Sequence, residues 1–245
     1  NCQQWVDLFL AASHLGALLV PLNTRYRAQE IGHLLRLSEA RVLVTATEFE
    51  GVDFAPRLTE VAALEGEQAV PVEHVVVVSG ALDKAPFRWK RHQGRDLAVN
   101  VAPVPPVAAE PADPLIVFGT SGTTSAPKLA IHTHQTVLTH VNAVAERLRL
   151  GPTSRQMVVL SLSGTFGFVP FLAGLLAGQP AVLLPIFKRD RVLAALASHP
   201  SDLLVAAEGS VRELLDAAGP TELGALTRVV TAGLDIEDVI RGAAE

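Results

Sequence analysis

The chain reads as an α/β protein made of two βα-layered subdomains with mainly parallel sheets. Three observations predict this. Short apolar runs recur down the chain, and between them stand segments whose apolar residues fall at i, i+3 and i+4. That alternation marks strands joined by crossover helices, which is how a parallel sheet is both connected and covered. The composition can fill such a structure: 49% of the 245 residues are hydrophobic and 18% are charged, enough for one large core or two modest ones. The pattern lapses only from Ser79 to Asp113, where Pro103, Pro105, Pro106 and Pro111 cluster, as in a connector crossing the surface. The expected division is a first βα subdomain with its Pro-rich connector over 1–112 and a second over 113–245.

Each element has its own signal. Trp5, Leu8, Phe9 and Ala12 line one face of a helix from Gln3 to His14, and Gly16 stops it. Leu18 to Leu22 predicts a short buried strand. Ile31, Leu34 and Leu35 share a face of a helix from Ala28 to Leu37. Arg41 to Thr45 and Val75 to Val78 predict strands on either side of a helical stretch from Ala55 to Leu64. In the second half, helices are expected at Val137 to Leu148, Phe168 to Leu176, Val192 to Ala197, Val211 to Ala217 and Ile236 to Ala244. Strands are expected at Val158 to Leu160, Ala181 to Leu184, Leu203 to Val205 and Arg228 to Thr231.

The totals exclude several function classes. A net charge of −5 offers no basic field to a nucleic-acid backbone, and Arg88, Lys90, Arg91 and Arg95 read as a solvated loop. The apolar stretch from Val169 to Leu184 is broken by Pro170, Gly174, Gly178 and Pro180, so it predicts a buried helix, a turn and a strand rather than a membrane span. The single cysteine, Cys2, permits no internal disulfide, and the first residues lack a signal-peptide pattern. A reducing cytoplasm is the expected compartment. The sequence starts within one helical pattern without Met and stops within another, and it reads as a portion of something longer.

The segment that carries chemistry is Gly119-Thr120-Ser121-Gly122-Thr123-Thr124-Ser125-Ala126-Pro127-Lys128. It stands between two apolar runs, Pro114 to Phe118 and Leu129 to Ile131, and so forms a loop between two strands. Glycines let backbone N–H groups approach an anion, hydroxyls donate to phosphate oxygens, and an ammonium offsets the charge. Two familiar glycine loops do not fit. In G-x-x-x-x-G-K-[ST], counted from Gly122, the second glycine falls on Pro127 and the hydroxyl residue on Leu129. The dinucleotide pattern fails because Gly119 and Gly122 are misspaced. His132 and His134 form H-x-H, which on one strand would face one side, but no third ligand has metal-site spacing. No metal site is expected from these residues.

The decapeptide resembles the signature loop of the adenylate-forming enzymes (acyl-CoA synthetases, luciferases and peptide-synthetase adenylation domains), approximately T-S-G-T-T-G-x-P-K-G, with T-H following. Here Thr133-His134 stands at the matching distance. Gly16-Ala17-Leu18-Leu19-Val20-Pro21-Leu22-Asn23 is similar to an early G-A-x-x-V-P-L-N strand of that family. Glu30, Leu34 and the run Ala40 to Val44 continue the likeness. Phe166-Gly167 with Leu172, Leu176 and Gly178 resemble the stretch around its acyl pocket, and Thr231-Ala232-Gly233 its turn near adenine.

The resemblance implies a fold, that of part of an adenylate-forming N-terminal domain, with ligands bound where the loop meets the carboxyl ends of the strands. It also implies a reaction: a carboxylate attacks the α-phosphorus of ATP, pyrophosphate leaves, and the acyl-adenylate passes to an acceptor. Mg²⁺ assists, and the acceptor is CoA or a carrier protein. On this resemblance Thr120, Ser121, Gly122, Thr123, Thr124 and Ser125 bind phosphate, with Lys128 as charge partner, Lys128 and Thr123 as catalytic groups, and Gly233 beside adenine. His134 orients the loop. The pocket for a small carboxylic acid takes in Gly164, Phe166, Gly167 and Glu208.

This chain departs from the family pattern at Ser125 and Leu129, where glycine is usual, and at Gly164, where many relatives have histidine or an aromatic. It departs again at Ala207-Glu208-Gly209, where V-P-T is common. Glu208 reads either as a helix-opening glutamate or as a group meeting a substrate amine. The Y-G-x-T-E segment, the ribose-binding aspartate and the small C-terminal domain with its lysine are not in the sequence, so the chain alone is expected to be inactive. A catalytically silent homologue that binds a nucleotide or a partner, and an inactive truncated fragment, are the alternatives.

Overall fold

The computed structural model describes residues 1–79, 89–93, 109–120 and 128–232. They fall into two compact units, residues 8–133 and residues 1–7 with 134–245.

The first unit begins in helix α1 (Gln3–His14), whose first residues belong to the other unit. The helix ends on Gly16, which takes a left-handed conformation (φ 65°) while the Ala17 N–H reaches back to the Ala12 carbonyl at 2.8 Å. Helix α2 (Ala28–Leu37) starts where Glu30 accepts the Arg27 N–H at 2.9 Å, and it buries Ala28, Ile31, Leu34 and Leu35. Strand β1 (Val42–Ala46) leads to a small antiparallel ribbon, β2 (Glu48–Phe49) and β3 (Val52–Asp53), and then to α3 (Ala55–Ala62). Strands β4 (His74–Ser79) and β5 (Lys90–Gln93) complete a parallel sheet of order β1-β4-β5. Alternate residues Leu43, Val75 and Val77 point into one core with Ile31, Leu35, Leu58, Val61 and Trp89.

Strand β5 corrects the sequence reading. Lys90 and Arg91 lie on a sheet strand and not in a solvated loop, because Trp89 beside them is buried and anchors the segment. Arg88, Arg95 and the proline cluster from Pro103 to Pro106 lie outside the described residues.

The unit closes with a hairpin, β6 (Pro114–Thr120) antiparallel to β7 (Lys128–Thr133). Leu115, Ile116, Val117 and Phe118 are all buried. The strand expected over Leu18 to Leu22 contributes a single parallel bridge to it: the Leu19 N–H donates to Leu115 O and the Val117 N–H to Leu19 O. Through that bridge the hairpin is bonded to residues near the start of the chain, and it falls in the unit of residues 8–133.

The second unit is a four-stranded, fully parallel sheet between helices. Helix α4 (His134–Arg147) precedes β8 (Gln156–Val158), α5 (Thr165–Leu176), β9 (Ala181–Leu183) and α6 (Arg189–Ser198). Strand β10 (Leu203–Ala207), α7 (Glu208–Ala217), the short α8 (Pro220–Leu223) and β11 (Arg228–Ala232) follow. The strand order is β11-β10-β8-β9. Alternate side chains serve the two faces: Met157, Leu204 and Ala206 pack with Val192, Leu196, Val211 and Leu214, whereas Val158 and Leu183 pack with Leu162, Phe171, Trp5 and Val6. Pro170 sits inside α5, a buried helix, as expected for that apolar stretch. The helix expected from Ile236 onward lies outside the described residues.

At the amino ends of the strands, Asp202 ties three of them together. Its carboxylate accepts the Arg155 N–H at 2.5 Å and pairs with Arg228, and its backbone carbonyl accepts the Thr227 and Arg228 N–H groups.

Candidate active site

The strand order β11-β10-β8-β9 contains a reversal. From β8 the chain crosses through α5 outward to β9, and from β10 it crosses through α7 outward to β11, so β8 and β10 are neighbours with diverging connections. In open α/β sheets, ligands bind beyond the carboxyl ends of the two strands at such a switch point. Four residues singled out by the sequence stand there. Gly164, Phe166 and Gly167 belong to the segment leaving β8 into α5, and Glu208 follows β10 directly.

Gly164 is the residue before α5, with extended backbone (φ −121°, ψ 150°) that any residue adopts. Among the described residues a Cβ there would meet only the Ser161 carbonyl, at 3.8 Å, so none of them demands glycine at this position. Phe166 is exposed at the first turn of α5. Gly167 is different: a Cβ would lie 2.3 Å from the Ser161 oxygen, and only glycine lets the helix seat against that turn. The turn itself closes through the Gly164 N–H to Ser161 O at 3.2 Å, and Ser161 Oγ and Ser163 Oγ are 2.7 Å apart.

Glu208 opens α7 straight off the strand, and its carboxylate pairs with Arg212 one turn on at 3.0 Å. Both the helix N-terminus and the guanidinium favour a negative charge there. That geometry fits a helix-opening glutamate held by its own helix.

The turn after β8 has a partner that sequence reasoning missed. The Asn1 side chain donates through Nδ2 to Leu160 O at 2.8 Å and to Leu184 O at 3.0 Å, and its Oδ1 accepts the Leu162 N–H at 3.0 Å. No local pattern announces this, because every group it meets is distant in sequence.

The residues that the resemblance assigns to phosphate binding, 120–125 and 128, fall in the other unit. Strands β6 and β7 form the stem, and its last rung pairs Thr120 with Lys128. Lys128 is exposed at the first position of β7. Beneath the rung, Gly119 lies where a Cβ would be 3.3 Å from the Tyr26 hydroxyl. Ser121, Gly122, Thr123, Thr124, Ser125 and Gly233 lie outside the described residues. The donor set of this segment, hydroxyls and glycine N–H groups ending on an ammonium, fits a polyphosphate.

The H-x-H pair does not share a strand face. His132 is on β7, its ring edge-on to Phe118 with centroids 5.8 Å apart, and His134 is the first residue of α4. Among the described residues no group of three His, Cys, Asp or Glu side chains converges as a metal site. No described helix is long and apolar enough to cross a membrane.

Comparison with known proteins accords with this arrangement. The sequence profile of the family described as "AMP-binding enzyme" matches residues 1–241. The chain belongs to that family of adenylate-forming proteins. It is 32% identical over 202 residues to the salicyl-AMP ligase / salicyl-S-ArCP synthetase of Mycobacterium tuberculosis, an alignment covering 81% of this chain and 34% of that protein. Among solved structures it superimposes on the anthranilate CoA ligase AuaEII in complex with anthranoyl-AMP with a TM-score of 0.82 and 22% identity, over 96% of this chain and 44% of that one. ATP-bound MatB of Rhodopseudomonas palustris gives a TM-score of 0.78 with 20% identity, over 99% of this chain and 45% of that one. The chain thus spans between a third and a half of these relatives' lengths, and the shared fold is that of their N-terminal portion.

Proposed function

We propose that the protein containing this chain activates a small carboxylic acid by adenylation. The carboxylate attacks the α-phosphorus of ATP, pyrophosphate leaves, and the acyl group of the adenylate then passes to CoA or a carrier protein. The observation that carries the reading is the sequence of the decapeptide ending on Lys128, whose two ends pair in an antiparallel hairpin, in a chain of the AMP-binding family. In this reading Thr120, Ser121, Thr123, Thr124 and Ser125 offer hydroxyls and N–H groups to the phosphates, with Gly122 allowing close approach. Lys128 balances the charge that shifts onto pyrophosphate as it leaves. ATP would bring Mg²⁺, which supplies further charge neutralisation. Gly233 lies beside adenine. Gly164, Phe166 and Gly167 border the acid pocket, and Glu208 stays with Arg212 as a structural ion pair. A reducing cytoplasm suits a chain whose one cysteine, Cys2, is an exposed free thiol.

That no described side chain fills the place of a Cβ at Gly164 supports an acid of some bulk. Salicyl and anthranoyl groups, named for two of the relatives, are natural members of a test panel beside fatty acids. The test is acid-dependent ATP–pyrophosphate exchange on the full-length protein. At least one acid should support exchange, and Lys128→Ala should cut it by about two orders of magnitude, the scale of a lost charge partner in the transition state. If no acid supports exchange while the nucleotide still binds, the protein is a nucleotide-binding module and the adenylation reading is lost.

A further inference from the structure

Asn1 spends its amide on three backbone groups of the two strand ends that flank the candidate acid pocket. Its two N–H bonds go to Leu160 O, after β8, and Leu184 O, after β9, and its oxygen takes the Leu162 N–H. Two carbonyls and one N–H define the amide's orientation: only the NH₂ side can face the carbonyls. No other side chain of this size fits the set. An aspartate would keep the Leu162 bond but turn an anion toward two carbonyl oxygens. Between the bonded groups lies Ser161, whose carbonyl accepts the Gly164 N–H and forms the floor on which Gly167 rests. Leu184 is itself joined to β8 through its N–H to Val158 O at 2.9 Å. The amide therefore closes a frame around residues 160–164, and the first turn of α5 stands on that frame.

We propose that Asn1 is a positioning residue for acid binding: its amide holds the 160–164 turn so that Gly164 and Phe166 face the switch point. The proposal rests on the adenylation reading for its kinetic consequence. Without the amide the turn loses three bonds on one side of the pocket, while the β6–β7 hairpin keeps its own ladder. Affinity for the acid and affinity for ATP should then separate.

The experiment uses Asn1→Ala and Asn1→Asp in the full-length protein, with two readouts. In pyrophosphate exchange, both variants should raise KM for the acid about tenfold, the scale of one net hydrogen bond lost from a bound state, with KM for ATP unchanged. In hydrogen–deuterium exchange, the Gly164, Gly167 and Phe168 amides, none of them bonded to Asn1, should lose protection, and β10 should keep it. The aspartate variant retains the Leu162 acceptor and guards against a misfolded alanine variant. Equal rises in both KM values, or a loss of protection spread through the sheet, would make Asn1 a general structural residue and overturn the proposal. Unchanged KM and unchanged protection would overturn it as well. If the parent protein supports no exchange with any acid, the adenylation reading fails by itself, and the protection data then decide for or against the frame.

Discussion

Gly167→Ala sets two known effects against each other, and the structure decides between them. In an unstrained helix position, alanine in place of glycine stabilises by about 1 kcal/mol. At Gly167, however, the new Cβ would lie 2.3 Å from Ser161 O, 2.9 Å from the Ser161 carbonyl carbon and 3.0 Å from Leu160 O. Ordinary contact is roughly 3.5 Å, so the nearest atom must give by about 1 Å. All three atoms are backbone, and their turn is held by the Gly164 N–H and, on either side, by Asn1. No rotamer change can relieve the clash. Overpacking of this kind costs about 1–3 kcal/mol, and the immobility of the carbonyl puts Gly167 at the upper end. The net expectation is a loss of about 1–2 kcal/mol after the propensity gain, or a Tm lower by about 2–8 °C for a chain of this size. Urea unfolding measures it, with Gly209→Ala as control. Gly209 is also helical, but among the described residues its Cβ would meet nothing within 4 Å, so that variant should gain about 0.5–1 kcal/mol. If Gly167→Ala matches or exceeds the parent in stability, the close approach of α5 to the 161 carbonyl is not part of the folded protein.

Two further outcomes follow from polar groups, one buried pair and one half-buried carboxylate. Gly174→Ala would bring a Cβ within 2.3 Å of Gln156 Nε2 and 2.6 Å of Gln179 Oε1, both buried. Moving Gln156 aside breaks its bond to Phe171 O at 3.1 Å, so a loss of about 2 kcal/mol is expected in urea unfolding, and unchanged stability would reject this packing. For Asp202, burial alone would raise the carboxyl pKa. The hydrogen bond from Arg228, the Arg155 N–H and the Arg228 charge outweigh that and hold it below the ordinary 3.8. A depressed carboxylate pKa stabilises the fold above the ordinary value, and the contribution is lost as pH falls through the folded pKa. The stability gap between the parent and Asp202→Asn should therefore be full near neutral pH and narrow below about pH 4. A gap that stays constant across that range would show that the ion pair contributes nothing through its charge.

Elements were legible in the sequence because their signals are local. The helices Gln3–His14 and Ala28–Leu37 have the bounds that the spacing of Phe9, Ile31 and Leu34 and the stop at Gly16 imply, since a 3.6-residue period needs only its own neighbours. The decapeptide's flanking runs became strands for the same reason. Less was legible of β5, whose polar residues Lys90 to Gln93 carry no apolar period and which is a strand because β4 offers it an edge.

Taken alone, the sequence determined the α/β class, the order of most elements and the side-chain types available in the segment that ends on Lys128. These rest on periodicity, glycine placement and side-chain type over a few consecutive residues. Only the tertiary structure decided that β8 and β10 are neighbours with diverging connections, that β6 and β7 form an antiparallel hairpin bonded to Leu19, and that the Asn1 amide bonds the turn after β8. It also decided which glycines are required: Gly167 and Gly174 face atoms that fill the place of a Cβ, whereas at Gly164 no described residue does. The physical reason is one of range. Strand order, close backbone approach and an amide's choice of partners are set by groups brought together from distant parts of the chain, and no short window contains both members of such a pair.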